Sequence, residues 1–346
     1  MKQSFIVILC LFYFQQALFA QNYIKKTPPE ITDLEQDDFK IHKKQGAYYN
    51  EQWAYHVILN NGAQIYVTYT VHHFAGLRNS SSSGRLSLLN WKGENYSTAK
   101  EYDLNNLVLD ENPYKMKLHP ERDIWIAGIP GFNEHHFHFK GKYEIQINFD
   151  QPYPGFKPGD GVFKVGNEDE LGMFVHIPFS RVSGYIADNN DTVKVSGIGF
   201  MDHTYQTNLA TRLFETSYKF NGRTESGFSG GHFLVPKHSP NDAIGYAYFY
   251  DGETLTLKDP EKITVNKRKE VSGTKIPVDI TVNYEDGSND TFYFSEVEEK
   301  VAMLDELSAF KKLIIKPFLG GEVLFYRGRA QTNKKEEVYF NLSLVD

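Results

Sequence analysis

Alternation of apolar and polar residues with a period of two, segment after segment, is the feature that most constrains this chain. Tyr143, Ile145, Ile147 and Phe149 alternate with Glu144, Gln146 and Asn148. Ile276, Val278, Ile280, Val282 and Tyr284 alternate with Pro277, Asp279, Thr281 and Asn283, and Val338, Phe340, Leu342 and Leu344 repeat the pattern at the end. Each segment has one dry and one wet face, as a half-buried strand does. Between such segments stand Asn61-Gly62, Asn221-Gly222, Asp251-Gly252 and Asp286-Gly287. Asn and Asp tolerate positive φ and Gly has no Cβ, so these pairs suit two-residue hairpins. Hairpin after hairpin predicts an all-β chain of antiparallel barrels or sandwiches. One helix is expected near the C-terminal end, over 296–311, from the spacing of Val297, Val301, Leu304 and Leu307. Residues 79–84 read as a Ser-rich loop and 152–161 as a Pro/Gly loop.

The length, 346 residues, suits two domains of ordinary size. Residues 1–20 read as a secretory signal: Lys2, an apolar stretch from Phe5 to Phe14, and small Ala20 before the expected cut. The stretch is too short for a membrane span. Residues 21–44 form a polar lead-in. The domain change is expected near Gly184, giving an N-terminal domain over 45–183 and a C-terminal domain over 184–346. Cys10, the only cysteine, lies inside the signal without the small residues that precede a lipid-modified cysteine. The mature chain then has no disulfides, and its stability rests on packing.

The formal charge is −7, with Lys and Arg scattered apart from short runs such as 267–269. That balance excludes nucleic acid as a partner, whose binding needs basic residues to neutralise phosphates. The aromatic load, 26 Phe and 22 Tyr, suits strands and apolar pockets alike.

The most informative stretch is 178–206. Pro178 is followed by Gly184 and then by Val195-Ser-Gly197-Ile-Gly199-Phe200-Met-Asp202-His203-Thr-Tyr205. It resembles the carotenoid hydratase (hydroxyneurosporene synthase) family and its AttH-like lipocalin relatives. Residues 51–62, opening on Glu51-Gln52-Trp53-Ala54-Tyr55, resemble the family's first strand, and 126–145 its paired central strands. The resemblance implies two lipocalin-like (calycin) antiparallel β-barrels in tandem. It also implies a range of activities, from hydration of an isoprenoid double bond to cyclisation to lipid handling without chemistry. Gln206 where many members have Gly, Tyr205 for the commoner Trp, and Ala54 between two aromatics depart from the pattern. These departures bear on hydratase activity more than on fold.

Asp202 is the candidate for a chemical role. Hydrating or isomerising an alkene needs a proton delivered to carbon, and a carboxyl buried among aromatics can retain one. His203 would orient Asp202 or manage the water proton, with Tyr205 completing the catalytic set. Trp53, Tyr55, Phe200 and Tyr218 are the candidate ligand-binding aromatics, whose faces can steady a cation. On a regular strand Asp202 and His203 point to opposite faces, unless Gly197 and Gly199 mark a bulge. The bland alternative is a structural pair, with Asp202 on backbone at a domain junction and His203 packed.

His72-His73 and His135-His136-Phe137-His138 are the histidine clusters, with His136 and His138 on one strand face. No HExxH or Cys/His pattern completes a site, and neither metal nor cofactor is expected. No Gly-x-Ser-x-Gly elbow is present, and 227–231 reads as close strand packing rather than a phosphate loop. The functional expectation is an exported protein, periplasmic or extracellular and near a membrane surface, that binds an apolar small molecule. The alternatives are a cofactor-independent hydratase, isomerase or cyclase with Asp202 as general acid, and an envelope protein-interaction module.

Overall fold

The computed structural model describes residues 24–25, 30–42, 44, 48–73, 79–166, 169–189, 191–237, 239–240, 242–303, 316 and 319–346. The expected signal, 1–20, lies outside them. Two antiparallel sheets account for nearly all of the rest. From edge to edge, the first sheet runs Glu94–Asp103, Ser81–Trp91, Gln64–His72, Asn50–Leu59, Thr192–Gln206, Asp169–Ala187, Glu144–Asp150, His135–Lys140, Ile124–Ala127, Tyr114–Lys117 and Val108–Glu111. The second runs Leu255–Lys258, Ile244–Tyr250, Phe228–Pro236, Phe214–Arg223, Glu337–Val345, Val323–Thr332, Asn289–Ala302, Thr274–Tyr284 and Pro260–Val271. Both follow one plan: the first long strand pairs with the last, and hairpins unroll to either side. This is the internal repeat that residue spacing shows only faintly.

Each sheet curls until distant strands meet across its interior, making a half-barrel. Tyr69 Oη donates to the His138 carbonyl (2.9 Å), and a Cβ on Gly84 would stand 3.0 Å from both Ile124 and Leu118. The inward residues of the alternating segments fill the space. Trp53, Tyr55, Val57, Phe137, Ile145 and Ile147 belong to the first core, and Tyr218, Phe220, Ile280, Val282, Phe292 and Phe340 to the second. Burying each such side chain is worth roughly 1.5–3 kcal/mol, which is what closes the sheets.

Several local readings hold. Asn61-Gly62, Asp251-Gly252 and Asp286-Gly287 lie in hairpin connections, and Gly230 and Gly231 lie where neighbouring strands crowd too closely for a Cβ. Others are corrected. Asn221-Gly222 lies within Phe214–Arg223, where Gly222 packs against Val338; a close approach, not a turn, requires the glycine. Residues 81–84 belong to Ser81–Trp91, and Phe156–Pro158 is a short strand within 152–161. Residues 296–302, expected to be helical, continue Asn289–Ala302. Register shifts at Phe294/Glu296 and Val297/Glu299 interrupt the period-two alternation there, and the i, i+4 spacing of Val297 and Val301 suits a strand as well as a helix. Of the rest of 296–311, residues 304–311 lie outside the described residues; helical backbone is present at Lys316 and Leu319.

Gly184 lies inside Asp169–Ala187, and the chain passes between sheets at 207–213, through the helical turn Ala210–Leu213. Among the described residues no helix is long and apolar enough to cross a membrane.

Candidate functional site

The strands Asn50–Leu59 and Thr192–Gln206 lie side by side in unbroken register, with His203 opposite Trp53, Asp202 opposite Ala54 and Tyr205 opposite Glu51. The bulge in this region falls on the other neighbour, around Pro178, and not at Gly197 or Gly199. A proline lacks the N–H for a ladder bond, so a bulge suits it. Alternation is therefore kept, and Asp202 and His203 point to opposite faces of the sheet.

His203 faces the interior of the first half-barrel and is fully buried. Its ring stacks on Trp53 (centroids 4.4 Å apart), Nδ1 lies 2.8 Å from the Asp38 carbonyl and Nε2 lies 2.8 Å from Glu51 Oε1. Both neighbours are acceptors, so both contacts are satisfied when the ring carries two protons. Glu51 also accepts from Tyr49 Oη (2.6 Å), His42 Nδ1 (2.7 Å) and the His42 backbone N–H (3.1 Å). Burial alone would raise the Glu51 carboxyl, but the hydrogen bonds from His203 and His42 outweigh it and hold the group at about 2. The lead-in completes the plug: the turn Gln36–Phe39 puts Phe39 on this floor, and Trp53 Nε1 donates to the Phe39 carbonyl (2.8 Å).

His42, Glu51 and His203 offer three ligand atoms close enough to one another to invite a metal. Two ligands of a tetrahedral zinc ion at ~2.0–2.1 Å stand roughly 3.3 Å apart. The carboxylate oxygen here touches both rings at 2.7 and 2.8 Å, which is hydrogen-bond length. The donor set fits a protonated network better than an ion. Of the histidine clusters, His136 and His138 do share a face, both against Trp125. His135 is buried in the half-barrel between Tyr55 Oη and the Gly128 carbonyl (3.0 Å each).

Asp202 faces the other way, toward the second sheet. Between the sheets lies a cleft of about 730 Å³. One wall comes from the outward residues of the first sheet, among them Gln52, Ala54, Thr68, Arg85 and Thr204. The other comes from the second sheet, among them Ser217, Lys219, His232, Phe325 and Asn341. At one margin Arg327 crosses between sheets, donating to Ser87 Oγ (2.9 Å) and Glu299 (2.7 Å) with its guanidinium over Tyr66. Elsewhere an apolar cluster joins Phe156, Leu171 and Met173 to Phe214, Leu234 and Tyr248.

Asp202 is buried beside a void of only about 10 Å³, with Phe200, Tyr246 and Tyr248 around it, and its carboxylate is ion-paired with Lys219. Lys219 borders both the void and the cleft. In the ladder it stands between His232 and Asn341, and Arg327 follows Asn341. His232 Nε2 lies 2.8 Å from Ser217 Oγ, and burial pushes the ring down to about 4. His232 Nδ1 and Asn341 Oδ1 are buried without a hydrogen-bond partner.

The sequence candidates thus divide. Asp202 and Phe200 lie together beside the void, while His203 is engaged by Glu51 and does not reach Asp202. Tyr205 lines the cleft, packs on Tyr49 and Phe174, and leaves its hydroxyl without a partner. Tyr55 borders the cleft with its ring in the first core. Trp53 belongs to the plug and Tyr218 to the second core against Phe340. Sequence reasoning missed Lys219, on the wet face of an alternating strand, His232, within a strand buried on both faces, and the burial of Glu51. The available signal for Glu51 was an acid in phase with the inward set Trp53, Tyr55 and Val57.

No family model matches the chain, and no curated protein matches its sequence. Solved structures do match over nearly their whole length. An AttH of Nitrosomonas europaea is 13% identical with a TM-score of 0.61, over 93% of this chain and 99% of that one. Kievitone hydratase from Nectria haematococca is 11% identical with a TM-score of 0.56, over 92% and 97%. CghA, in complex with Sch210972, is 9% identical with a TM-score of 0.62, over 94% and 98%. The chain shares the AttH-like tandem lipocalin-type fold that its 178–206 segment suggested, and identities this low speak for the fold alone.

Proposed function

We propose that this chain binds an apolar small molecule, lipid- or isoprenoid-like, in the cleft between its two half-barrels. The observation that carries the reading is the cleft itself, about 730 Å³. That is the size of a small-molecule site, and its lining mixes apolar residues such as Ala54, Leu234 and Phe325 with polar and charged ones. The half-barrel interiors are packed with side chains, so the ligand is placed between the sheets rather than inside a barrel. Titration of the purified chain with the uncharged probe N-phenyl-1-naphthylamine should give saturable fluorescence at one site per chain. Absence of binding would overturn the reading.

A second reading is a cofactor-independent hydratase, isomerase or cyclase acting on an isoprenoid-like alkene. It is favoured by the cluster of Asp202, Lys219 and His232 at the cleft wall, and by the name of one structural neighbour, a hydratase. In hydration one alkene carbon takes a proton and the other takes the oxygen of water, whose released proton restores the acid. In this reading the proton leaves the Lys219 nitrogen, which borders the cleft, and the one released by water returns to the Asp202–Lys219 pair; Asp202 acts by holding Lys219. Asp202→Asn should then abolish turnover while leaving the fold intact. Export belongs to the same proposal, and native protein should lack residues 1–20 by intact mass.

A further inference from the structure

We infer that the ligand of the inter-sheet cleft carries a carboxylate, that Lys219 is the residue that receives it, and that Asp202 is a positioning residue for Lys219. The inference rests on the cleft being the binding site. Asp202 lies behind the cleft wall, with its side chain 7% exposed; Lys219 is 21% exposed and borders the cleft. The carboxylate therefore holds the ammonium from behind and leaves further N–H donors on the cleft side. A lysine stem is flexible and usually samples many rotamers, so a buried counter-ion is what fixes its charge in one place.

The surroundings favour a carboxylate over other polar groups. Lys219 stands in the ladder between His232 and Asn341; when His232 Nε2 accepts from the Ser217 hydroxyl, its buried and unpartnered Nδ1 is a donor, whereas the unpartnered Asn341 Oδ1 is an acceptor. A two-oxygen anion can engage the ammonium and a neighbouring donor together. Glu215, the acid of the cleft on the same strand, is four residues away, about 13 Å along extended chain. Ala54 and Phe325, elsewhere in the cleft lining, are apolar and suit a hydrocarbon body.

The test compares cis-parinaric acid with its methyl ester on the full chain. The acid should bind at least 10-fold more tightly. Lys219→Met should bring the acid down to the affinity of the ester, and Asp202→Asn should narrow the acid preference several-fold by releasing the Lys219 ammonium from its fixed place; an undiminished preference in Asp202→Asn would overturn the positioning role. Because Lys219→Met strands a buried acid, Lys219→Met/Asp202→Asn serves as the folded control and should also show no preference. Equal binding of acid and ester to the unaltered chain, or a preference that survives in the double variant, would overturn the inference while leaving the cleft reading in place. Failure of both probes, and of the uncharged naphthylamine, would overturn the cleft reading itself.

Discussion

Two neighbouring residues of one strand, His203 and Asp202, look into two different environments. Around His203 the network is closed: Glu51 collects His203, His42 and Tyr49, and the Asp38 carbonyl takes the other ring nitrogen, while the Tyr114 and Tyr205 hydroxyls at its margin have no partner. On the Asp202 side the ion pair with Lys219 stands beside a large cleft, and nearby polar atoms of His232 and Asn341 have no partner. A saturated buried network fixes a fold, whereas an unsaturated one keeps capacity for something else. On the proposed binding reading, stability lies with the inward face and recognition with the outward one.

The strongest way to break that contrast is Glu51→Gln. It leaves His203 facing an amide in a fully buried setting, and removal of one member of a buried pair costs roughly 3–5 kcal/mol. Denaturant unfolding should show the loss, with acid-over-ester binding unchanged in the fraction that stays folded. If Glu51→Gln instead abolished binding in a stable protein, the division of labour would be wrong.

Acid sharpens the same point. The His135 ring is held down to about 3, chiefly by burial and against the pull of the Gly128 carbonyl. The unfolded chain takes up this proton near pH 6.5, well before the folded one. The stability present above pH 6.5 is therefore lost as pH falls toward 3, by roughly 3–5 kcal/mol in the limit. Glu51 adds to the loss at the acid end: it is held at about 2, below the usual carboxylate value, so its contribution is full above pH 4.5 and goes as pH falls to 2. Midpoints of urea unfolding between pH 7 and pH 4 should drop steadily; a flat profile would contradict the buried neutral ring.

On the outward face the expected cost to stability is smaller and the cost to binding larger. Thr204→Trp puts bulk into the cleft and should weaken N-phenyl-1-naphthylamine at least 10-fold while moving stability by less than about 1.5 kcal/mol. Smallest of all, Ser217→Ala removes one hydrogen bond to His232 and should cost about 1 kcal/mol by thermal melting.

Much of the fold was legible because hairpins are local. The alternating segments and Asn61-Gly62 or Asp286-Gly287 specify strands and turns from adjacent residues. What failed depended on partners elsewhere in the chain. Nothing beside Asn221-Gly222 reveals that Val338 will lie against Gly222, and nothing near Val297 announces two register shifts. The candidate site was half legible for the same reason. Asp202 stood out by motif, and strand geometry already set His203 on the opposite face. Lys219 lay unnoticed on the wet side of Tyr218 and Phe220, because its meaning arises only when a second sheet is laid across the first.

The pairing of each sheet's first long strand with its last has a consequence for how the chain is made. Asn50–Leu59 has no neighbour on one side until Thr192–Gln206 exists, so the first half-barrel cannot seal until the chain has grown from Leu59 to Gln206. The second repeats the delay, because Phe214–Arg223 waits for Glu337–Val345. Contacts so distant in sequence form slowly, and an open strand edge invites wrong partners while it waits. Loss of Glu337–Val345 would leave that edge permanently bare, with a strand on one side that has no partner to wait for.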